Sequence, residues 1–316
     1  MEEAIAIIIA IIVILISNWR ISKWKKEAAT AYFIIGQKAT SSEEREWAYR
    51  KAFKYGHTKA KLFYIYAAAN TFSGRKPLTP FTITSDKGES PIVAIFYDYY
   101  IRTKHLPYAS DIQQEITQRV LELKDGFNPS SDLYSEALRT LETYFNENWK
   151  HPQGPTIIFM PCSSEQTYYS RFSALARSLS KRYNYNTDID AIQYTNSRSS
   201  KHRSQNRDAI ESSSNVVISP KIIGKQVIIM DDVITTGKSL HQFAKELRTY
   251  GVTIKAAVFL AQTAKYPTDK ELYRHARNIN RPWTTRNNFS APHKAFHHKS
   301  SFSKLLITIS QPLIYT

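Results

Sequence analysis

Between Val227 and Ser239 the chain reads Val-Ile-Ile-Met-Asp-Asp-Val-Ile-Thr-Thr-Gly-Lys-Ser, two kinds of binding chemistry in one short run. Val227 to Met230 are apolar and read as a buried strand; Asp231 and Asp232 follow at its end, and a polar turn opens a helix at Ser239. The backbone amides of Thr235, Thr236, Gly237 and Lys238 then converge ahead of the helix, where its dipole adds partial positive charge. Such a spot takes a phosphate. Asp231 and Asp232 at the strand's C-terminal end suit two vicinal hydroxyls or a hydrated magnesium ion. A ribose 5-phosphate carries both features.

The elements around this run predict an α/β domain with a parallel sheet and its site at the C-terminal edge. Thr156 to Met160, Ala191 to Tyr194, Val216 to Ile218, Val227 to Met230 and Ile254 to Leu260 read as strands. Phe172, Leu175, Ala176 and Leu179 mark one helix face; Leu240, Phe243, Ala244 and Leu247 mark another, closed by Gly251. Ahead of this core, an all-α region is expected: helices over Ile92 to Arg102, Asp111 to Leu123 behind Ser110, and Asp132 to Trp149 behind Ser131.

The 227–239 run resembles the signature of type I phosphoribosyltransferases, of the competence-protein F or amidophosphoribosyltransferase-like kind. The resemblance implies binding of phosphoribosyl pyrophosphate and transfer of its 5-phosphoribosyl group to an acceptor, with release of pyrophosphate and dependence on Mg2+. It also implies roles. Asp231 and Asp232 become the catalytic and metal-binding acids, the ion held directly or through water, and Thr235, Thr236, Gly237, Lys238 and Ser239 bind the 5-phosphate. Pyrophosphate falls to Ser163 and Ser164 in the loop Pro161-Cys162-Ser163-Ser164, and to Arg198, Lys201, Arg203 and Arg207 in the polar stretch between Thr195 and Ser214. That loop departs from the family's small, Gly-containing form and carries no charge. Arg171-Phe172-Ser173 stands where competence-type relatives have Arg-Gly-Phe-Asn. The acceptor is not named by any residue. A non-catalytic protein that binds the same donor or a nucleotide, acting as a sensor or effector in DNA uptake or anti-phage defence, is the alternative.

Five segments follow. Residues 1–26 form a membrane anchor with a basic flank: Ala4 to Ser17 is Ile, Ala, Val and Leu up to its closing Ser, with Glu2 and Glu3 before it and Arg20, Lys23, Lys25 and Lys26 after it. The acidic front and the lack of a small-residue cleavage site argue against a secretory signal, and the positive flank places the rest of the chain in the cytoplasm. The expectation is a single-pass protein of the inner or plasma membrane. Residues 27–75 read as a helical hairpin in which Trp47 to Lys61 resembles one Sel-type repeat; 76–152 as the further helical region; 153–264 as the phosphoribosyltransferase core.

Residues 265–316 form a basic extension, with nine Lys or Arg against Asp269 and Glu271 in a chain of net charge +16. Cations among Tyr273, Trp283, Phe289 and Phe296 suit either single-stranded nucleic acid or an anionic membrane surface. An assembly of several copies is compatible with the sequence. One cysteine, Cys162, excludes an intramolecular disulfide framework and fits a reducing compartment.

Overall fold

A computed structural model of the chain describes residues 2–84, 90–126, 130–194 and 216–277. Its sheet is built on strand β6 (Gln226–Ile234), whose Val227, Ile228, Ile229 and Met230 are fully buried. A strand covered on both faces needs neighbours on both edges. On one side lies β7 (Thr253–Thr263), parallel to β6, with Met230 opposite Val258 and Asp231 opposite Phe259. On the other lies β3 (Thr156–Phe159), also parallel, with Phe159 opposite Met230.

Beyond β7 the sheet continues into β2 (Ile92–Tyr100), parallel to β7, and then β1 (Phe81–Ile83), antiparallel to β2. The order is β1-β2-β7-β6-β3. The helix expected over Ile92 to Arg102 is therefore corrected to a strand, and the all-α reading of residues 76–152 with it. Ile92, Ala94, Ile95 and Phe96 are all buried, so the segment shows a continuous apolar run rather than period-2 alternation. A short buried run cannot be assigned by periodicity; its Ile, Val, Phe and Tyr content favours the strand.

Parallel strands require crossovers, and helices supply them. α5 (Asp111–Lys124) starts in a capping box in which Ser110 and Gln113 satisfy each other's backbone amides. α6 (Ser131–Phe145) and α7 (Glu165–Tyr183) follow, and α8 (Lys238–Thr249) crosses from β6 to β7. Phe172 of α7 stacks on Phe159 of β3 with ring centroids 4.9 Å apart, which fastens α7 to the sheet. The strands expected at Ala191 to Tyr194 and Val216 to Ile218 exist as β4 (Ile192–Tyr194) and β5 (Val216–Ile218). They pair antiparallel as a separate ribbon outside the main sheet.

At the N-terminus, α1 (Glu2–Lys38) is one uninterrupted helix that runs through the expected boundary at residue 26. Ile5 to Ile16, Trp19 and Trp24 are exposed, whereas Ala29 is buried and Phe33 stacks on His57 at 4.2 Å. The first part of α1 is long and apolar enough to cross a membrane. Its second part packs on α2 (Ser42–Lys54), capped by the Ser41 hydroxyl, and close to α3 (Ala60–Ala67) through Phe33 and Phe63. A short α4 (Ala69–Ser73) leads toward the sheet, and α9 (Asp269–Arg277) returns from it to the hairpin through a 2.6 Å Lys61–Asp269 ion pair.

Candidate active site

Two loops at the C-terminal edge of the sheet open helices, and they differ in one respect that decides their chemistry. After β3, Ser164 caps α7: its hydroxyl accepts the Thr167 amide at 3.2 Å and lies 2.8 Å from the Thr167 hydroxyl. In the same loop the Cys162 amide donates to the Tyr194 hydroxyl at 2.7 Å, and that hydroxyl donates to the Cys162 carbonyl at 3.3 Å. This helix start is capped by a side chain of its own loop.

After β6 the arrangement is open. Gly237 forms the N-cap of α8 at φ +84, and no side chain caps the helix. The turn of Thr235, Thr236, Lys238 and Ser239 is exposed, and within it the Lys238 amide donates to the Thr236 hydroxyl at 3.4 Å. The Thr235 hydroxyl is 2.8 Å from that of Thr263 at the end of β7, which holds the turn against the neighbouring strand. Glycine is needed here twice over. The backbone is left-handed, and a Cβ would lie 2.9 Å from Cγ2 of buried Ile83.

The acid pair sits inside β6, which runs on through Val233 and Ile234 before the turn rather than ending at Met230. Asp231 Oδ1 accepts the Asp232 amide at 2.8 Å, and Asp232 Oδ1 accepts the Val233 amide at 2.6 Å. Tyr134 of α6 donates its hydroxyl to the Asp231 carbonyl at 2.7 Å. Burial, reinforced by the neighbouring Asp232 charge, pushes the Asp231 carboxyl well above the ordinary range. Asp232 is 6% exposed, and its Oδ2 has no hydrogen-bond partner among the described residues. Two cations form ion pairs with that oxygen, Arg171 Nη1 at 3.4 Å and Lys124 Nζ at 3.7 Å.

The structure thus brings Asp231, Asp232 and the Thr235–Ser239 turn together on one strand-turn-helix unit, with Ser163 and Ser164 at the end of the adjacent strand. Arg198, Lys201, Arg203 and Arg207 lie outside the described residues, as does the basic extension beyond Arg277. Sequence reasoning missed Lys124, Tyr134 and Tyr194. Each comes from a different element and carries no local motif, so spacing gave no signal. Burial pushes the Cys162 thiol up to about 12, away from its thiolate form. A cavity of about 290 Å³ lies elsewhere, lined by Arg45, Tyr49, Phe63, Tyr66, Tyr108 and Gln113 among others, with neither acid in its wall.

The sequence model of the family described as "Phosphoribosyl transferase domain" matches residues 169–292. This segment is a phosphoribosyl transferase domain. It takes in most of α7, the β4–β5 ribbon, the acid pair, the open turn and β7, while β2, β3 and the Ser163-Ser164 loop precede it. No curated protein matches the chain.

Among the described residues, no group of three or more His, Cys, Asp or Glu gathers into a metal cage. What the domain offers is two adjacent carboxylates, one with an oxygen that takes no hydrogen bond and is faced by Arg171 and Lys124. That donor set fits a magnesium ion that keeps most of its water and takes its remaining oxygens from a substrate.

Proposed function

We propose that the protein is a membrane-anchored phosphoribosyltransferase that uses phosphoribosyl pyrophosphate as donor and works at the cytoplasmic face. The observation that carries the reading is the acid pair Asp231 and Asp232 set beside the uncapped N-terminus of α8, within a matched phosphoribosyl transferase domain. The turn amides and the Thr235, Thr236 and Ser239 hydroxyls bind the 5-phosphate. That fixes the ribose over the strand end and supplies orientation. Asp231 and Asp232 take the ribose 2- and 3-hydroxyls. Magnesium, when bound, would neutralise the developing charge on pyrophosphate, held through Asp231, Asp232 or their waters.

In the reaction an acceptor nucleophile bonds to C1 as the C1–oxygen bond breaks, and the electron pair leaves on pyrophosphate. For the anchor, support comes from the exposed apolar part of α1, and from Arg20, Lys23, Lys25 and Lys26 on its C-terminal flank.

The test uses full-length protein in detergent with labelled donor, magnesium and pooled bases, amines and amides. Pyrophosphate release that disappears in Asp231→Asn and Asp232→Asn is expected; donor binding without turnover across all acceptors sinks the enzyme reading. That outcome would favour a donor-binding sensor, toward which the self-satisfied, uncharged loop after β3 points. Recovery in the soluble fraction after an alkaline wash of membranes would remove the anchor.

A further inference from the structure

A pyrophosphate leaving group needs positive charge, and the loop after β3 supplies none: Pro161-Cys162-Ser163-Ser164 is neutral and its Cys162 amide is already bonded to Tyr194. The described cations closest to the acid pair come from two other helices. Arg171 of α7 is the more enclosed, with its side chain 17% exposed, and a guanidinium that faces a buried carboxylate is a fixed partner of that acid. Lys124, the last residue of α5, differs. Its side chain is 38% exposed, its ammonium stops 3.7 Å short on Asp232 Oδ2, and it lies 5.6 Å from the centre of the Tyr100 ring at the end of β2.

Its placement is built into the backbone. Two residues on, Gly126 adopts φ +90, and a Cβ there would lie 2.6 Å from the hydroxyl of Ser170, the residue before Arg171. The left-handed backbone at Gly126 favours glycine, and there the chain passes against Ser170 of α7, which holds the end of α5 beside the helix that carries Arg171. Lys124 also lies outside the segment matched by the family.

Resting on the phosphoribosyltransferase reading, we propose that Lys124 is, among the described residues, a cation that binds the pyrophosphate of the donor. In the free protein it rests against Asp232. When ribose hydroxyls or a hydrated cation take over Asp232 Oδ2, the flexible ammonium turns to the phosphates, where leaving-group charge grows. A residue from the helical segment thus completes the site.

Affinities of full-length protein in detergent for phosphoribosyl pyrophosphate and for ribose 5-phosphate separate this role from a structural one. Lys124→Gln is expected to weaken the pyrophosphate-bearing ligand at least tenfold and to leave ribose 5-phosphate within about twofold, while Lys124→Arg restores most of the loss. Equal affinity of Lys124→Gln and wild type for the donor overturns the inference, and so does an equal loss for both ligands. If wild-type protein binds neither ligand, the phosphoribosyltransferase reading itself fails, and the assignment of Lys124 falls with it.

Discussion

Replacing Gly237 with alanine tests the turn through two separable costs. An L-residue in the left-handed region costs about 1–2 kcal/mol, and Gly237 sits at φ +84. The added methyl would lie 2.9 Å from Ile83 Cγ2, well inside ordinary carbon contact, in a place where Ile83 is only 2% exposed. Overpacking of this kind adds about 1–3 kcal/mol, so urea unfolding of Gly237→Ala should show a loss of roughly 2–5 kcal/mol in total. The two terms part company in a double variant. Ile83→Ala alone costs about 2–5 kcal/mol from its cavity, but combined with Gly237→Ala it removes the clash and keeps the backbone strain. The pair should therefore be less destabilised than the sum of its parts by about 1–3 kcal/mol. Ribose 5-phosphate affinity should fall at least tenfold in Gly237→Ala, because the α8 amides no longer converge. Strict additivity in the cycle would refute the clash, and unchanged ligand affinity would refute the role of the turn.

Three further outcomes follow from the same geometry. Asp231 holds its proton more tightly in the native than in the unfolded chain, so stability should fall as pH rises from about 4, the unfolded value, through the raised native value. Asp231→Asn should flatten that fall and gain on wild type as pH increases, measured by urea midpoints across pH 5 to 8; parallel curves would contradict the raised value. Removing Arg171 leaves the Asp232 charge with Lys124 alone, so Arg171→Met should cost about 3 kcal/mol, and adding Asp232→Asn should recover part of it. A double variant as unstable as the sum would mean that the two do not interact. The Cys162 thiol, held up at about 12, should resist iodoacetamide at neutral pH and react promptly in urea; rapid labelling of native protein would show that the loop opens.

What could be read from the sequence was what is local. The apolar run, acid pair, turn and helix of residues 226–249 follow one another along the chain, so each predicts the next, and the structure places them as one strand-turn-helix unit. Ser110 announced the start of α5 for the same reason, because capping acts within a single turn. β2 escaped because burial on both faces erases the alternation that marks a strand. The length of α1 escaped because its charges mark only the end of the apolar part: Lys25, Lys26 and Glu27 are good helix formers, and the helix runs on to Lys38. Tyr134, Lys124 and Tyr194 could not be found at all by spacing. Their relation to Asp231, Asp232 and Cys162 exists only once α5, α6 and β4 have packed beside β3 and β6.

The acid pair is also an energetic anomaly that packing alone does not explain. Two adjacent carboxylates taken largely out of water cost several kcal/mol between them, and fixed partners offset this only where geometry is good. Here it is incomplete: Asp231 is driven toward its neutral form, while Asp232 Oδ2 faces two cations that stop short of hydrogen bonding. A strand end selected only for stability would carry Asn or an aliphatic residue at either position. The protein instead surrounds the pair with Arg171, Lys124 and the Tyr134 hydroxyl, which hold it in place without satisfying it, and leaves α8 uncapped next door while α7 is capped. On the proposed reading, a phosphate at the start of α8 and a hydroxyl or cation at Asp232 Oδ2 would each gain a partner there, and one molecule that carries both would stabilise the folded chain at two points.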